Sequence, residues 1–203
     1  MVQTLSKLVP IFFPKVVTHL SRKEKIIYLT FDDGPTETCL PFILSTLQRY
    51  NAEASFFCVG NNMLDSPHLV EDMVHGGHKV YNHTQDHKKG WLHNANSYLT
   101  SVHEAHKIIP HPKAFRPPYG KITWKQYRRL ILDWKIIYWD TLTEDYNTKI
   151  SPEKCLALSC TAQNGSILVF HDNKKAWENM SYALPRFLEI YSKKGYKFES
   201  LPY

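Results

Sequence analysis

The sequence predicts a single α/β domain in which parallel strands alternate with helices. Three observations predict it. Length is the first: 203 residues, 43% of them hydrophobic, build one sizeable core and need no second domain. Periodicity is the second. From Lys25 onward, short apolar runs rich in Ile, Val, Phe or Tyr alternate with longer stretches of helical pattern. The third is the placement of chemistry, because polar and titratable residues cluster just after the apolar runs. Parallel α/β folds put function at the carboxyl ends of their strands. With right-handed crossovers, such a chain either closes into a barrel or stays an open doubly wound sheet.

The elements follow in order. A strand over 26–31 runs into Asp32-Asp33-Gly34-Pro35 and then a helix over 39–50. A strand over 54–59 leads to a helix over 67–75. The third strand, 79–82, ends in Asn82-His83-Thr84-Gln85-Asp86-His87, and a helix over 97–109 follows. The fourth, 114–116, ends in Arg116-Pro117-Pro118-Tyr119-Gly120 before a helix over 123–132. The fifth, 136–139, runs into Asp140-Thr141-Leu142-Thr143-Glu144-Asp145-Tyr146 and a helix over 152–161. The sixth, 166–170, ends in His171-Asp172 before a helix over 177–194, and a strand over 196–199 completes the series.

Composition excludes several classes. This apolar fraction, with a net charge of only +6, excludes intrinsic disorder. Gly and Pro show no period, which excludes collagen-like and low-complexity chains. No uncharged apolar run approaches the roughly 18 residues of a transmembrane helix. Lys and Arg are spread along the chain in short clusters such as Arg22-Lys23-Glu24-Lys25 and Arg128-Arg129. No nucleic-acid motif accompanies them, so they read as a solvated basic surface and no nucleic-acid partner is expected. Anionic glycans or membrane surfaces stay open as partners. Cys39, Cys58, Cys155 and Cys160 make no C-x-x-C pair and read as free thiols of a reducing compartment.

Residues 1–24 form an N-terminal extension. Leu5, Leu8, Val9, Phe12, Phe13, Val16, Val17 and Leu20 recur at helical spacing. Lys7, Pro10, Pro14 and Lys15 interrupt the apolar stretch and no small-residue cleavage site follows, so no cleavable signal is expected. The extension reads as a segment packing on the domain; a basic membrane-surface segment is the alternative. The main domain is expected over 25–203, as a cytoplasmic monomer without a transmembrane span. Weak peripheral membrane association is the alternative location.

His83 and His87 are four apart, which on a helical turn puts both imidazoles on one face within reach of one metal ion. Asp32 or Asp33 completes a two-His, one-carboxylate set suited to catalytic zinc, and equally to non-haem iron or cobalt. Neighbours on an extended strand point to opposite sides, so one of the two Asp binds metal while the other takes a proton. Arg116, fixed before two prolines, is suited to orient a carboxylate. His171 has the chemistry of a general acid, with Asp145 or Asp172 as its partner.

In their order, Thr30-Phe31-Asp32-Asp33-Gly34-Pro35, His83-Thr84-Gln85-Asp86-His87 and Arg116-Pro117-Pro118-Tyr119 resemble the motifs of the polysaccharide deacetylases, carbohydrate esterase family 4. The resemblance covers 25–203. It implies a distorted (β/α)7 barrel with parallel strands and outer helices. It also implies a metal-dependent hydrolase that removes acetyl groups from N-acetylated sugars of a glycan or oligosaccharide, of chitooligosaccharide or peptidoglycan type. By the same resemblance Asp32 is the general base, held ionised by Arg116. Asp33, His83 and His87 hold a divalent metal, zinc first, with cobalt, nickel or another divalent ion as alternatives. The backbone N–H of Tyr119 binds the oxyanion, and His171, tuned by Asp145, is the general acid.

The chain departs from the family pattern at Leu142, where an Asp is usual, at Tyr146, where a Trp is usual, and at Val169, where a Leu is usual. Tyr146 and Val169, with Pro118, are expected to wall the acetyl pocket in an altered shape. Trp91 and Trp139 offer sugar-stacking faces but read more simply as core or rim residues. An acetylxylan-type O-deacetylase, a non-catalytic glycan-binding relative and a non-haem iron oxygenase are the competing readings. Of the 11 His, the chemistry rests on three. His19, His68, His75, His78, His93, His103, His106 and His111 read as surface or structural residues without acidic partners.

Overall fold

The computed structural model describes Val9, residues 11–109 and residues 113–203. Leu5, Lys7, Leu8, Pro10 and His111 lie outside them. Eight strands form: β1 (Ile26–Asp32), β2 (Ser55–Cys58), β3 (Lys79–Asn82), β4 (Ala114–Phe115), β5 (Lys135–Ile136), β6 (Thr141–Leu142), β7 (Ile167–His171) and β8 (Lys197–Glu199). The helices are α1 (Leu40–Arg49), α2 (Gly60–Asp65), α3 (Pro67–His75), α4 (Ala95–His106), α5 (Trp124–Leu130), α6 (Pro152–Ser159) and α7 (Trp177–Lys193). Side-chain caps fix several starts. Asn94 accepts from Ser97 N before α4, and Ser151 accepts from Lys154 N before α6. Thr123 and Gln126 form a reciprocal capping box on α5.

The order β5-β4-β3-β2-β1-β7-β6 is all parallel and never reverses its winding, so it is a circular sequence opened between β5 and β6. That is the (β/α)7 barrel in distorted form, and the open doubly wound sheet is excluded because its order reverses at a switch point. Two differences from the sequence reading are instructive. The predicted fifth strand, 136–139, forms only at Ile136, within β5, while β6 lies beyond its end at Thr141–Leu142, in the stretch read as the polar strand end. Helix α2 is too short to show a hydrophobic period. Beside the opening, Val17 bridges Ile137 in parallel and His19 bridges Ser166 in antiparallel. β8 pairs with the first half of β1, through Ile26↔Lys197, Ile27↔Phe198 and Tyr28↔Glu199.

Alternation along β1 sorts its side chains. Ile27, Leu29 and Phe31 enter the main core with α1, α3 and α7, where Phe31 stacks on Phe56 at 5.1 Å and on Phe170 at 5.9 Å. Thr30 and Asp32 face the barrel interior, where both meet Arg116. A Cβ at Gly34 would collide with the Asp172 carboxylate, so the turn that ends β1 needs glycine. All four cysteines are free.

Candidate active site

Five strand ends build the site, those of β1, β3, β4, β6 and β7. β1 supplies Asp32 and, just past its end, Asp33, whose left-handed φ of 78° turns the side chain out of strand alternation. Asp32 and Asp33 therefore line one cavity of about 360 Å³ while meeting different partners.

His83 and His87 follow β3 on an irregular loop with positive φ at Thr84 and His87, and not on a helical turn as the spacing suggests. The loop still brings them together, with ring centroids 5.2 Å apart. His83 Nε2 lies 3.5 Å and His87 Nε2 3.0 Å from Asp33 Oδ1. The three ligand atoms are within 4.8 Å of one another. His83 Nδ1 meets the Arg116 carbonyl at 2.8 Å and donates to it, which assigns the proton to Nδ1 and the lone pair to Nε2 in the neutral ring. A lone pair facing a carboxylate oxygen requires a positive charge between them. The donor set thus fits a divalent cation, of the type that takes N/O ligands. Burial acts against the charged form of Asp33, but its contacts with His83 and His87 outweigh burial and hold it well below the usual carboxylate range.

Two amides that the sequence reading missed hold Asp33. Asn173 Nδ2 donates to Asp33 Oδ2 at 2.7 Å, leaving Oδ1 to the two His, and Asn62 Nδ2 donates to the Asp33 carbonyl at 2.7 Å. Both lie far from Asp33 in sequence; Asn173 directly follows the His171-Asp172 strand end, which is the one signal for it, while Asn62 has none.

Arg116 is fully buried inside the barrel with its guanidinium 4.0 Å from the Phe57 ring centroid. It donates to Asp32 Oδ1 at 2.6 Å, to Thr30 Oγ1 at 2.8 Å and to the Tyr138 carbonyl at 3.0 Å. Burial lowers its pKa and Asp32 opposes that shift. The ion pair is charge-assisted, and its removal would strand a buried carboxylate.

Asp145 grips His171 twice. Its Oδ1 lies 2.7 Å from Nδ1, and its Oδ2 accepts the His171 backbone N–H at 2.7 Å. Burial favours the neutral imidazole, but the buried Asp145 charge overcomes it and raises the His171 pKa to about 9. Asp172 is not the partner. It turns away to accept from Thr36 N and Thr36 Oγ1, and burial lifts its carboxyl to about 6.

Tyr119, Tyr146 and Val169 line the cavity, as do Gly120, Trp139, Leu142 and Lys175. Pro118 is buried and does not line it, because the left-handed φ of 59° at Tyr119 carries the 3-10 turn Pro118–Gly120 past it. Leu142 does line the cavity, although its sequence position marked it only as a departure. Trp91 stands outside the cavity, more than half exposed, with Nε1 on the Ile122 carbonyl. His68 has an acidic partner after all, Glu37 at 3.1 Å, made visible only when α3 packs beside the β1 turn.

A parallel barrel opened between β5 and β6, with an Asp-His-His set at its strand ends that could hold a metal ion, defines a class of α/β domain. A family model described as polysaccharide deacetylase matches residues 19–132. The chain belongs to the polysaccharide deacetylase family. It is 30% identical over 194 residues to a peptidoglycan-N-acetylglucosamine deacetylase of Bacillus cereus, covering 90% of this chain and 89% of that one. It is 31% identical over 189 residues to the peptidoglycan-N-acetylglucosamine deacetylase PgdA of Listeria monocytogenes, covering 89% of this chain but spanning only 39% of that relative's length. Among solved structures, a peptidoglycan N-acetylglucosamine deacetylase in complex with an N-oxidanyl-benzamide matches with a TM-score of 0.89 at 26% identity, covering 96% of this chain and 95% of that one.

Proposed function

We propose that this chain is a metal-dependent deacetylase that removes acetyl groups from N-acetylated sugars of a peptidoglycan- or chitooligosaccharide-type glycan. One observation carries the reading: the Asp33, His83 and His87 ligand atoms converge within 4.8 Å in the cavity that also holds Asp32 and His171. The names of the relatives support the substrate class.

Asp33 Oδ1, His83 Nε2 and His87 Nε2 would hold the cation, with zinc, cobalt and nickel all suited to these donors. When bound, it supplies Lewis-acid polarisation and makes a water more acidic. Asp32, oriented by Arg116, takes the proton of the attacking water. The Tyr119 backbone N–H donates to the oxygen on which negative charge develops, a contribution of about 3 kcal/mol for a well-placed donor. His171, with Nδ1 engaged by Asp145, keeps Nε2 for the leaving nitrogen and protonates it, since an amide anion is too poor a leaving group. Leu142, Tyr146 and Val169 enclose the acetyl methyl.

The test is acetate release from chitooligosaccharides and peptidoglycan fragments, with acetylated xylan as the O-acetyl control. The metal-loaded protein is expected to release acetate from the N-acetyl substrates and to lose this activity to a chelator. Release from xylan alone would make it an O-deacetylase. Glycan binding without turnover at saturating metal would make it a non-catalytic relative.

A further inference from the structure

Beyond that activity, we propose that the face beside the catalytic mouth is a docking surface for an anionic lipid bilayer. The face is made of three segments that the fold brings together, 11–15, 88–93 and 121–129. Phe13 packs on Trp124 at 5.8 Å and on Tyr127 at 4.9 Å. Lys15 N donates to Tyr127 Oη at 3.2 Å. Gln126 Nε2 donates to the Gly90 and His93 carbonyls at 2.9 and 3.0 Å, and Trp91 Nε1 reaches the Ile122 carbonyl at 3.1 Å.

Charge is the first argument. These segments hold Lys15, Lys88, Lys89, Lys121, Lys125, Arg128 and Arg129, and no Asp or Glu. The rest of the chain carries 18 Lys and Arg against 19 Asp and Glu, so the whole positive balance of +6 originates here. Lys88 pairs with Asp86 at 2.6 Å; the other six make no ion pair among the described residues. What reads along the sequence as dispersed basic residues is one basic face in three dimensions.

Apolar exposure is the second argument. Ile11, Phe12, Trp91, Leu92 and Trp124 each expose more than half of their surface, and all belong to these segments. On α5 the buried side is Gln126, Tyr127 and Leu130, while Trp124, Lys125, Arg128 and Arg129 share the outer side. Bulky apolar tips ringed by Lys and Arg match the chemistry of a bilayer interface, where the tips enter the acyl boundary and the cations meet lipid phosphates. A second copy of this face would be repelled by like charge. A hydrated polyanion would satisfy the cations and leave Ile11, Phe12 and Leu92 in water. Lys89 lies 5.7 Å from the Tyr119 ring centroid, and Tyr119 lines the catalytic cavity, so the bilayer would lie next to the mouth.

Vesicle co-sedimentation tests this independently of any hydrolysis. The protein is expected to sediment with phosphatidylcholine vesicles containing about a third phosphatidylglycerol, not with phosphatidylcholine alone, and to be released by salt. Lys125→Glu with Arg128→Glu should weaken partitioning at least roughly tenfold. Phe12→Ser should weaken it even at low salt, which electrostatic adsorption alone would not show. All these sites are exposed, and circular dichroism checks that the variants fold. Absence of sedimentation at low salt overturns the proposal. So does an unchanged Phe12→Ser, tighter binding to heparin or RNA than to vesicles, or a dimer in solution that Phe12→Ser dissolves.

Discussion

Asp33 shows how much a single residue depends on unlike neighbours. Its two oxygens are divided between the His pair and the Asn173 amide. Asn173 Oδ1 also accepts from Ala176 N in the turn before α7, so Asn173→Ser keeps an acceptor for that turn but shortens the reach to Asp33. That variant is expected to bind zinc roughly tenfold or more weakly in chelator competition. Unchanged affinity would leave Asn173 only its contact within that turn. His171 gives a second expectation. A general acid must be protonated, so activity should fall as pH rises through the His171 pKa, which the Asp145 charge holds above the ordinary imidazole range. Asp145→Asn removes the charge that raises this pKa, so the alkaline limb should move to lower pH by roughly a unit or more. A limb that stays in place would assign the titration elsewhere. Charged and motif-bound residues such as Asp32, His83, Arg116 and His171 were legible in the sequence. Asn62 and Asn173 were not, because an amide gains its meaning only from what it faces.

Elements were legible where period and length were sufficient. The helix over 67–75 forms as predicted, and the first, second and third strands form within about two residues. The short extent of β5 and the existence of β6 were not legible, since two-residue strands carry no period. Nor was the irregular loop holding His83 and His87, whose spacing imitates a helix. The short bridge at Val17 is a further case. Val17 N donates to the Ile136 carbonyl at 2.9 Å, and Tyr138 N donates to the Val17 carbonyl at 2.7 Å. Val17→Pro deletes the first donor, and we expect a loss of roughly 1–2 kcal/mol in urea denaturation. An unchanged urea midpoint would show that the bridge contributes nothing to folding.

At the scale of the whole molecule, two buried groups set a dependence of stability on pH. Asp172 is raised to about 6 from an ordinary value of 3.8, so the folded state holds its proton more tightly than the unfolded state does. Its contribution is full below the unfolded value and is lost as pH rises through about 6. His171, raised to about 9 from 6.5, contributes fully below 6.5 and loses that contribution as pH rises through about 9. The metal-free protein should therefore lose stability in two steps between about pH 4 and 9. Asp172→Asn should remove the first step, raising stability at pH 7 by roughly 2 kcal/mol and changing little at pH 4. Denaturant titrations across that range check both, and an unaltered profile in the variant would assign the first step to another group.

The strap through Val17 and His19 also bears on the order in which the molecule is completed. These residues leave the ribosome more than a hundred residues before their partners, Ile137 and Ser166. The strap therefore waits for its partners while the sheet between them is made. A nascent chain stalled before Ile137 has no place to put that strap. The Tyr138 amide, which donates to it, should gain hydrogen-exchange protection only once the chain has passed that point.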